Sequence, residues 1–427
     1  MEPRRSEHDD VSKAQVAILC GGLGTRLGAA TATTPKPLLP VGDLPFLDHL
    51  LLEVARFGFR DVVLLAHFRH EAVEAFARDS VAAARFGLNL SVCVEPAAAG
   101  TGGALHHARE LLAERFVLMN GDTWLEVNYL ALLAMLDAGT DAALALREVA
   151  GADRYDTVDL IDGRITRFGR SAPGPIDAPS LINALSLING GVAACTRAVL
   201  ERVPVQGSLE ALVWPALAAE GRLAGLVTPG HFLDIGVPEA LAAAQREIPA
   251  RHRRGAVFFD RDGVLNVDHG HVGSVDRFEW IEGAREAVRL ANEAGRYVFV
   301  VTNQAGVAKG FYSEAEVQAL HAHMQADLAA VGAHVDAFRY SPYHVDGVVP
   351  GYARDSDCRK PGPGMILDLM RDWPVDPARS LLIGDKDSDL AAAAAAGIRG
   401  VKFAGGSLAA ALRPLLRADD SSPERQT

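Results

Sequence analysis

The feature that most constrains the fold is a recurrence of short, apolar, β-branched runs that each lead into glycine or a polar residue. Ala/Leu-rich helical stretches separate them. "VAILC", "DVVLLAH", "LSVCVEP" and "RFVLMNGD" come first; "AVFFD", "RYVFVVTN" and "SLLIGD" come later. Strands alternating with helices imply parallel sheets with crossover helices. In open sheets of that kind, ligands bind beyond the carboxyl ends of the strands. The residues that close these runs are therefore the first candidates for chemistry. No internal repeat of fixed period interrupts the pattern.

At 427 residues the chain exceeds one ordinary domain, and with 49% apolar and 22% charged residues it can build two cores. Near residue 250 the helical "PEALAAAQREI" gives way to Pro249 and the basic "RHRRG" before "AVFFD" starts afresh. The expected organisation is a first domain over 14–247, a linker over 248–255 and a second domain over 256–417. Polar ends at 1–13 and 418–427 are expected to be disordered.

A formal net charge of −12 argues against a general nucleic-acid binder but leaves room for local cationic sites on anionic substrates. Cys20, Cys93, Cys195 and Cys358 form no CxxC pair, which fits a reducing cytoplasm. No apolar stretch follows the charges of "MEPRRSEHDD", so no secretory signal is expected. The uncharged run Ala178–Thr196 contains Pro179, Asn183 and Asn189 and reads as loop and strand, not as a membrane span.

In the first half, "VAILCGGLGTRL" runs a buried-type strand into a turn with Gly21, Gly22 and Gly24. Such a turn lets backbone N–H groups close on phosphate oxygens. Thr25, Arg26 and Lys36 follow, and two fixed cations suit a triphosphate whose charge must be neutralised during transfer. With "GGLGTRL", "PKPLLPV", "EPAAAGTGGAL", "LMNGDT", "INGGV" and "FLDIGVPE", residues 14–247 resemble the sugar-1-phosphate nucleotidyltransferases. The resemblance implies that Asp122 and Asp234 hold Mg²⁺, Arg26 binds the triphosphate and Lys36 neutralises the reacting phosphates. It also implies Gly102 and Gly103 against base or sugar, and Asn189 with Gly190 against the sugar. Many relatives carry a Glu-Lys pair before the sugar site. Here the segment reads "RITRFGRSAPGP", leaving Arg167 or Arg170 in the lysine's place and no glutamate. The wording is most similar to guanylyltransferases of heptose 1-phosphate and mannose 1-phosphate, which makes GTP the implied nucleotide.

In the second half, "AVFFDRDGVLN" ends an apolar strand with Asp260 and Asp262, separated by one residue, so both carboxylates can face one ligand. Thr302, Lys360, Asp385 and Asp389 stand at or near later strand and loop ends. One carboxylate can serve as covalent nucleophile and a second as acid and base. A hydroxyl, an ammonium and Mg²⁺ can hold the phosphoryl charge. Over about 255–410 the order of motifs resembles the haloacid-dehalogenase-like phosphatases. That resemblance implies Asp260 as nucleophile and Asp262 as general acid–base. It further implies Mg²⁺ on Asp260, Asp385 and the backbone carbonyl of Asp262, Asp389 just outside its ligands, and Thr302 and Lys360 on the phosphoryl group.

"DRDGVLNVDHGHVG", "VTNQAGVAKGFYSEAE", "CRKPGPGM" and "IGDKDSDLAAA" are closest to the heptose 1,7-bisphosphate 7-phosphatase branch. Asp268 to His271, Asn303, Gln304 and Arg359 then become substrate contacts. About forty residues separate Asp260 from Thr302, too few for a large cap domain. That branch often holds a structural zinc through Cys-x-His and Cys-x-Cys pairs. Here "SPYHV" and "SDC" leave Cys358 and a displaced His344, too few for a four-coordinate site. No zinc is expected, the loop being held by packing, with Cys358 a small buried residue.

The expected fold is α/β in two domains: a Rossmann-like nucleotidyltransferase sheet of the glycosyltransferase-A kind, then a haloacid-dehalogenase-like Rossmannoid domain without a large cap. The expected function is bifunctional and cytoplasmic, with no nucleic-acid or membrane partner and with a homo-oligomer left open. The second half removes the 7-phosphate of heptose 1,7-bisphosphate, and the first couples heptose 1-phosphate to GMP from GTP. Two alternatives stay open. One is a mannose (hexose) 1-phosphate guanylyltransferase fused to a phosphatase of other specificity. The other is an active phosphatase with a sugar-nucleotide-sensing first domain.

Overall fold

The computed structural model describes residues 14–22, 24–150, 155–169 and 185–420. Two compact units meet in sequence at Pro249 and Ala250.

The strands of the first unit are β1 (Gln15–Leu19), a short hairpin β2 (Pro40–Val41) and β3 (Leu44–Pro45), β4 (Asp61–Ala66), β5 (Asn89–Val94), β6 (Arg115–Asn120) and β7 (Thr123–Leu125). They continue as β8 (Ala142–Ala150), β9 (Val158–Ile161), β10 (Arg164–Phe168), β11 (Leu185–Thr196), β12 (Leu223–Val227) and β13 (Phe232–Asp234). Nine of them form one sheet in the order β5-β4-β1-β6-β11-β8-β12-β10-β9. The first four are mutually parallel, as the alternating pattern implies. Beyond them the sheet is mixed, a feature that the alternation of strands and helices does not disclose. β11 runs antiparallel to β6 and β8, and β10 antiparallel to β12 and β9. Apolar runs look alike in either direction, because register and direction depend on partners distant in sequence. The core gathers Ala17, Val63, Leu65, Phe116, Leu118, Leu144 and Leu146 from the sheet against Leu105, Trp214 and Leu217 from helices.

The second unit carries β14 (Ala256–Phe259), β15 (Tyr297–Asn303), β16 (Ala337–Ser341), β17 (Leu381–Gly384) and β18 (Arg399–Lys402). All pair in parallel in the order β16-β15-β14-β17-β18. Central β14 is buried at all four residues, as expected of a parallel strand covered on both faces. Between Asp260 and Thr302 lie a loop, a 3₁₀ turn at Val275–Arg277 and the helix Ala284–Glu293.

Two boundaries differ from expectation. The helix Pro238–His252 runs through most of the stretch read as a linker, and the helix Leu408–Asp420 extends past residue 417. Pro249 disguised the first continuation, since proline usually signals a stop, and the polar composition beyond Arg417 disguised the second. Residues 1–13 and 421–427, expected to be disordered, lie outside the described residues. No helix among the described residues is long and apolar enough to cross a membrane.

Candidate active sites

In the first unit the carboxyl ends of β5, β4, β1 and β6 border a cavity of about 400 Å³. Gly21 and Gly22 follow β1, His67 follows β4, Glu95 follows β5, and Asn120 to Asp122 close β6; all line it. A Cβ on Gly22 would meet nothing within 4 Å, so its backbone faces open space. Lys36, on the 3₁₀ turn Lys36–Leu38, places its ammonium 2.6 Å from Oδ2 of Asp122. β13 pairs with β7 so that Asp234 stands opposite Thr123, beside Asp122. Burial, and then the charge of Asp122, push the Asp234 carboxyl above its ordinary range. Two acids in this relation suit a divalent cation.

The far wall is acidic. Glu210, on a π-helical turn at Leu209–Val213, accepts a hydrogen bond from the Thr101 hydroxyl at 2.7 Å. Oε2 of Glu95 accepts from the Ala99 N–H at 3.2 Å, while burial raises its carboxyl. His67, Glu95, Asn120 and Glu210 belong to the lining without any motif role that the sequence assigns them. Three of them close strands already recognised, and that position was the available signal.

Several expected contacts fall elsewhere. Gly102 and Gly103 do not line the cavity: a Cβ on either would strike Pro204, Val205 or Gly207, so they let the helix Gly100–Ala108 approach that loop. Gly190 likewise admits the Leu125 side chain, and Asn189 Oδ1 caps the Gly191 N–H at 3.1 Å inside a β11 bulge. Gly24 forms the turn, its carbonyl accepting from the Thr31 hydroxyl at 2.9 Å. Arg26 is exposed beyond the cavity lining, yet its charge helps to stabilise the Asp234 carboxylate. The side chain of Thr25 and all of Arg170 lie outside the described residues. Arg167 donates to Asp159 in hydrogen bonds of 2.6 and 2.8 Å on the hairpin β9–β10.

In the second unit three adjacent parallel strands, β15, β14 and β17, deliver Thr302, Asp260 and Asp385 to one edge. They border a cavity of about 560 Å³ lined by Asp260, Asp262, Asp268, His271, Thr302, Asn303, Arg359 and Lys360, among others. The Lys360 ammonium lies 2.8 Å from Asp260 Oδ1 and 2.6 Å from Asp389 Oδ1. Burial pushes the Asp260 carboxyl up to about 6, with Lys360 pulling the other way.

Asp260, Asp385 and Asp389 each bring an oxygen within 4.8 Å of the others. Asp385 Oδ1 is buried without a hydrogen-bond partner among the described residues. A carboxylate trio with an orphaned oxygen fits a hard divalent cation. Asp389 also accepts from the Lys386 N–H at 2.9 Å, so it braces the trio as well as joining it.

Two expected substrate contacts have other duties. The Asn303 amide brackets the Lys360 backbone, donating to its carbonyl at 2.9 Å and accepting its N–H at 3.0 Å. Gln304 is 1% exposed and spends its amide on Asp262, Thr302 and Tyr312. Asp268 instead meets Lys386, 3.1 Å away at the cavity wall. His271, with φ of 53°, packs edge-on against Phe311. Tyr312 and Lys386, inside the motifs "VTNQAGVAKGFYSEAE" and "IGDKDSDLAAA", also line the cavity.

The loop 341–358 is tied by hydrogen bonds and ring stacking. Glu314 accepts from the Tyr340 hydroxyl at 2.6 Å and the Tyr352 hydroxyl at 2.5 Å. Arg354 stacks 3.9 Å over the Tyr343 ring, and the Tyr343 carbonyl accepts from Arg359 at 3.2 Å. Cys358 is a free thiol and is half-buried, not fully buried as expected.

Comparison with known proteins agrees with this division. Residues 15–169 match the Nucleotidyl transferase family model, and 357–420 the HAD-hydrolase-like model. A D-glycero-beta-D-manno-heptose-1,7-bisphosphate 7-phosphatase of Rhodopseudomonas palustris is 51% identical over 153 residues, 36% of this chain and 85% of that protein. The protein of the same name from Escherichia coli K12 is 42% identical over 143 residues, 34% of this chain and 75% of that one. A solved structure of HddC from Yersinia pseudotuberculosis complexed with GMP-PN is 26% identical, covering 55% of this chain and 99% of that one with a TM-score of 0.46.

Proposed function

We start from a plain membership, that this chain belongs through its second unit to the D-glycero-beta-D-manno-heptose-1,7-bisphosphate 7-phosphatase family, and propose a substrate and a sequence of reactions for the whole. The chain is a bifunctional enzyme, a nucleotidyltransferase followed by a phosphatase. Its second site removes the 7-phosphate of a heptose 1,7-bisphosphate. Its first joins the remaining heptose 1-phosphate to GMP from GTP, yielding GDP-heptose and pyrophosphate.

The observation that carries the reading is the convergence of Asp260, Lys360, Asp385 and Asp389 at one strand edge, with Asp262 beside them. A carboxylate oxygen of Asp260 attacks phosphorus while the bond to the sugar oxygen breaks. Asp262 gives that oxygen its proton. Asp262, now a carboxylate, takes a proton from water, whose oxygen attacks the aspartyl phosphate. Inorganic phosphate leaves and Asp260 is restored. Lys360 and Thr302 offset the phosphoryl charge, and Asn303 holds the Lys360 backbone in place. Asp260, Asp385 and the backbone carbonyl of Asp262 would hold Mg²⁺, which supplies further neutralisation of the phosphoryl oxygens when bound.

In the first unit a sugar phosphate oxygen attacks the α-phosphorus in line and pyrophosphate leaves, with no covalent intermediate. Catalysis there is positioning and charge neutralisation. Lys36 faces the phosphates, Arg26 adds its charge from beyond the cavity lining, and Asp122 with Asp234 would hold Mg²⁺. Glu95 supports a guanine base. A carboxylate only accepts hydrogen bonds, and guanine offers adjacent N1–H and N2–H donors where uracil offers one donor between two carbonyls. Initial rates with each of the four NTPs, before and after Glu95→Gln, test the assignment. GTP is preferred by the native chain and loses that preference in the variant; an unchanged order of preference overturns it.

A further inference from the structure

Asp262 is surrounded by donors. Its Oδ1 accepts from Arg261 Nε at 3.1 Å, Arg261 Nη2 at 3.0 Å and Asn266 Nδ2 at 3.0 Å. Its Oδ2 accepts from Arg261 Nη2 at 3.0 Å and Gln304 Nε2 at 2.8 Å. A guanidinium has no lone pair to take a proton, and the Asn266 amide, whose Oδ1 is buried without a partner among the described residues, is kept with Nδ2 toward Asp262 by a second bond from Nδ2 to the Val267 carbonyl at 2.9 Å. Gln304 differs, because half a turn of its amide would set Oε1 against Asp262 and present an acceptor there.

What opposes that turn is Tyr312. Its hydroxyl donates to Gln304 Oε1 at 2.7 Å, while Gln304 Nε2 also donates to Thr302 Oγ1 at 2.8 Å. The ring itself is seated in a slot between two glycines. A Cβ on Gly273 would fall 2.1 Å from ring Cδ1, and one on Gly306 would fall 2.2 Å from Cζ. Neither glycine is held at positive φ, so close approach of the ring is what requires them. Burial pushes the Tyr312 phenol up to about 12, so it remains a donor at any physiological pH.

We propose that Tyr312 and Gln304 are positioning residues for the acid–base carboxylate, holding the Gln304 amide so that the substrate's leaving oxygen is the only acceptor open to the proton of Asp262. This rests on the phosphatase reading and assigns a duty that the reading leaves open. When the bond from phosphorus to the sugar oxygen breaks, the proton moves from Asp262 to that oxygen and to no other neighbour. Without the phenolic hydroxyl the amide turns, Oε1 shares the proton, and departure of a poor leaving group slows.

The test compares leaving groups in the full-length protein. An alkoxide leaving from heptose 1,7-bisphosphate needs the proton, whereas p-nitrophenolate departs without it. In Tyr312→Phe, which keeps the ring in its slot, kcat for heptose bisphosphate falls about ten- to a hundredfold while KM changes less than about threefold. First-turnover release of p-nitrophenolate from p-nitrophenyl phosphate, read by rapid quench, stays within about threefold of the native rate. Gln304→Leu removes the acceptor that the turned amide would present, so Tyr312→Phe made in that background costs no more than about threefold further in kcat. Equal losses on both substrates, a change confined to KM, or no change at all overturns the relay while leaving the phosphatase intact. A native chain that releases phosphate from neither compound overturns the phosphatase reading itself.

Discussion

Oδ1 of Asp260 lies 2.8 Å from the ammonium of Lys360, and both side chains are almost wholly removed from water. The same ammonium holds Asp389, so one cation neutralises two of the three clustered acids. Lys360→Met leaves those carboxylates facing each other. Phosphate release is expected to fall about 10²- to 10³-fold, as for loss of one charge-stabilising donor. Nucleotidyl transfer from heptose 1-phosphate, assayed on the same preparation, stays within about twofold.

The first site responds in the opposite sense. Lys36 is paired at 2.6 Å with Asp122, two residues beyond the end of β6. Lys36→Ala is expected to lower pyrophosphate formation about 10²-fold or more and leave phosphate release unchanged. Arg26→Ala has a smaller effect, since that side chain is exposed. A transferase indifferent to Lys36 would remove this residue from the site.

Metal dependence separates the two sites from the loop beside the second. Chelation is expected to stop both reactions, and Mg²⁺ alone to restore them. The loop 341–358 depends instead on Glu314, which joins Tyr340 and Tyr352, and on Arg354 over Tyr343. Glu314→Ala is expected to raise KM for heptose bisphosphate about three- to tenfold by loosening Arg359, at about 1 kcal/mol per lost hydrogen bond. A requirement for added zinc after chelation would contradict this arrangement.

His321 supplies a pH signature of stability. The ring is buried, stacked on Phe338 at 4.5 Å, and its Nε2 has no hydrogen-bond partner among the described residues. Burial, and then Arg261, lower its pKa from 6.5 to about 3. An unfolded chain takes up this proton as pH falls through about 6.5, and the folded chain refuses it until about 3. Stability therefore rises with pH across that window. The loss from this ring between pH 6.5 and pH 5 is about 2 kcal/mol. His321→Phe keeps the stack and is expected to flatten that part of the profile in denaturant titrations.

The strand ends that bear the chemistry were legible in the sequence. "AVFFD", "RYVFVVTN" and "SLLIGD" became the adjacent strands β14, β15 and β17, so Asp260, Thr302 and Asp385 meet as the pattern implied. Less legible was what a polar residue does once it arrives. Asn303 and Gln304 carry the same amide as a substrate contact would, yet one straps Lys360 and the other holds Asp262. Gly102 and Gly103 read as ligand-facing glycines, yet they make room for the loop at 204–207. Those distinctions depend on neighbours distant in sequence, which no local motif encodes. Direction in the outer half of the first sheet was hidden for the same reason.

The central claim is tested most directly by incubating the chain with heptose 1,7-bisphosphate, GTP and Mg²⁺ and identifying the products by mass. The account predicts inorganic phosphate, pyrophosphate and a GDP-heptose that carries no 7-phosphate. With Asp260→Asn, it predicts no phosphate from the bisphosphate but unimpaired GDP-heptose formation from supplied heptose 1-phosphate. Bisphosphate left intact by the native chain, or a nucleotide sugar that keeps its 7-phosphate, would contradict it.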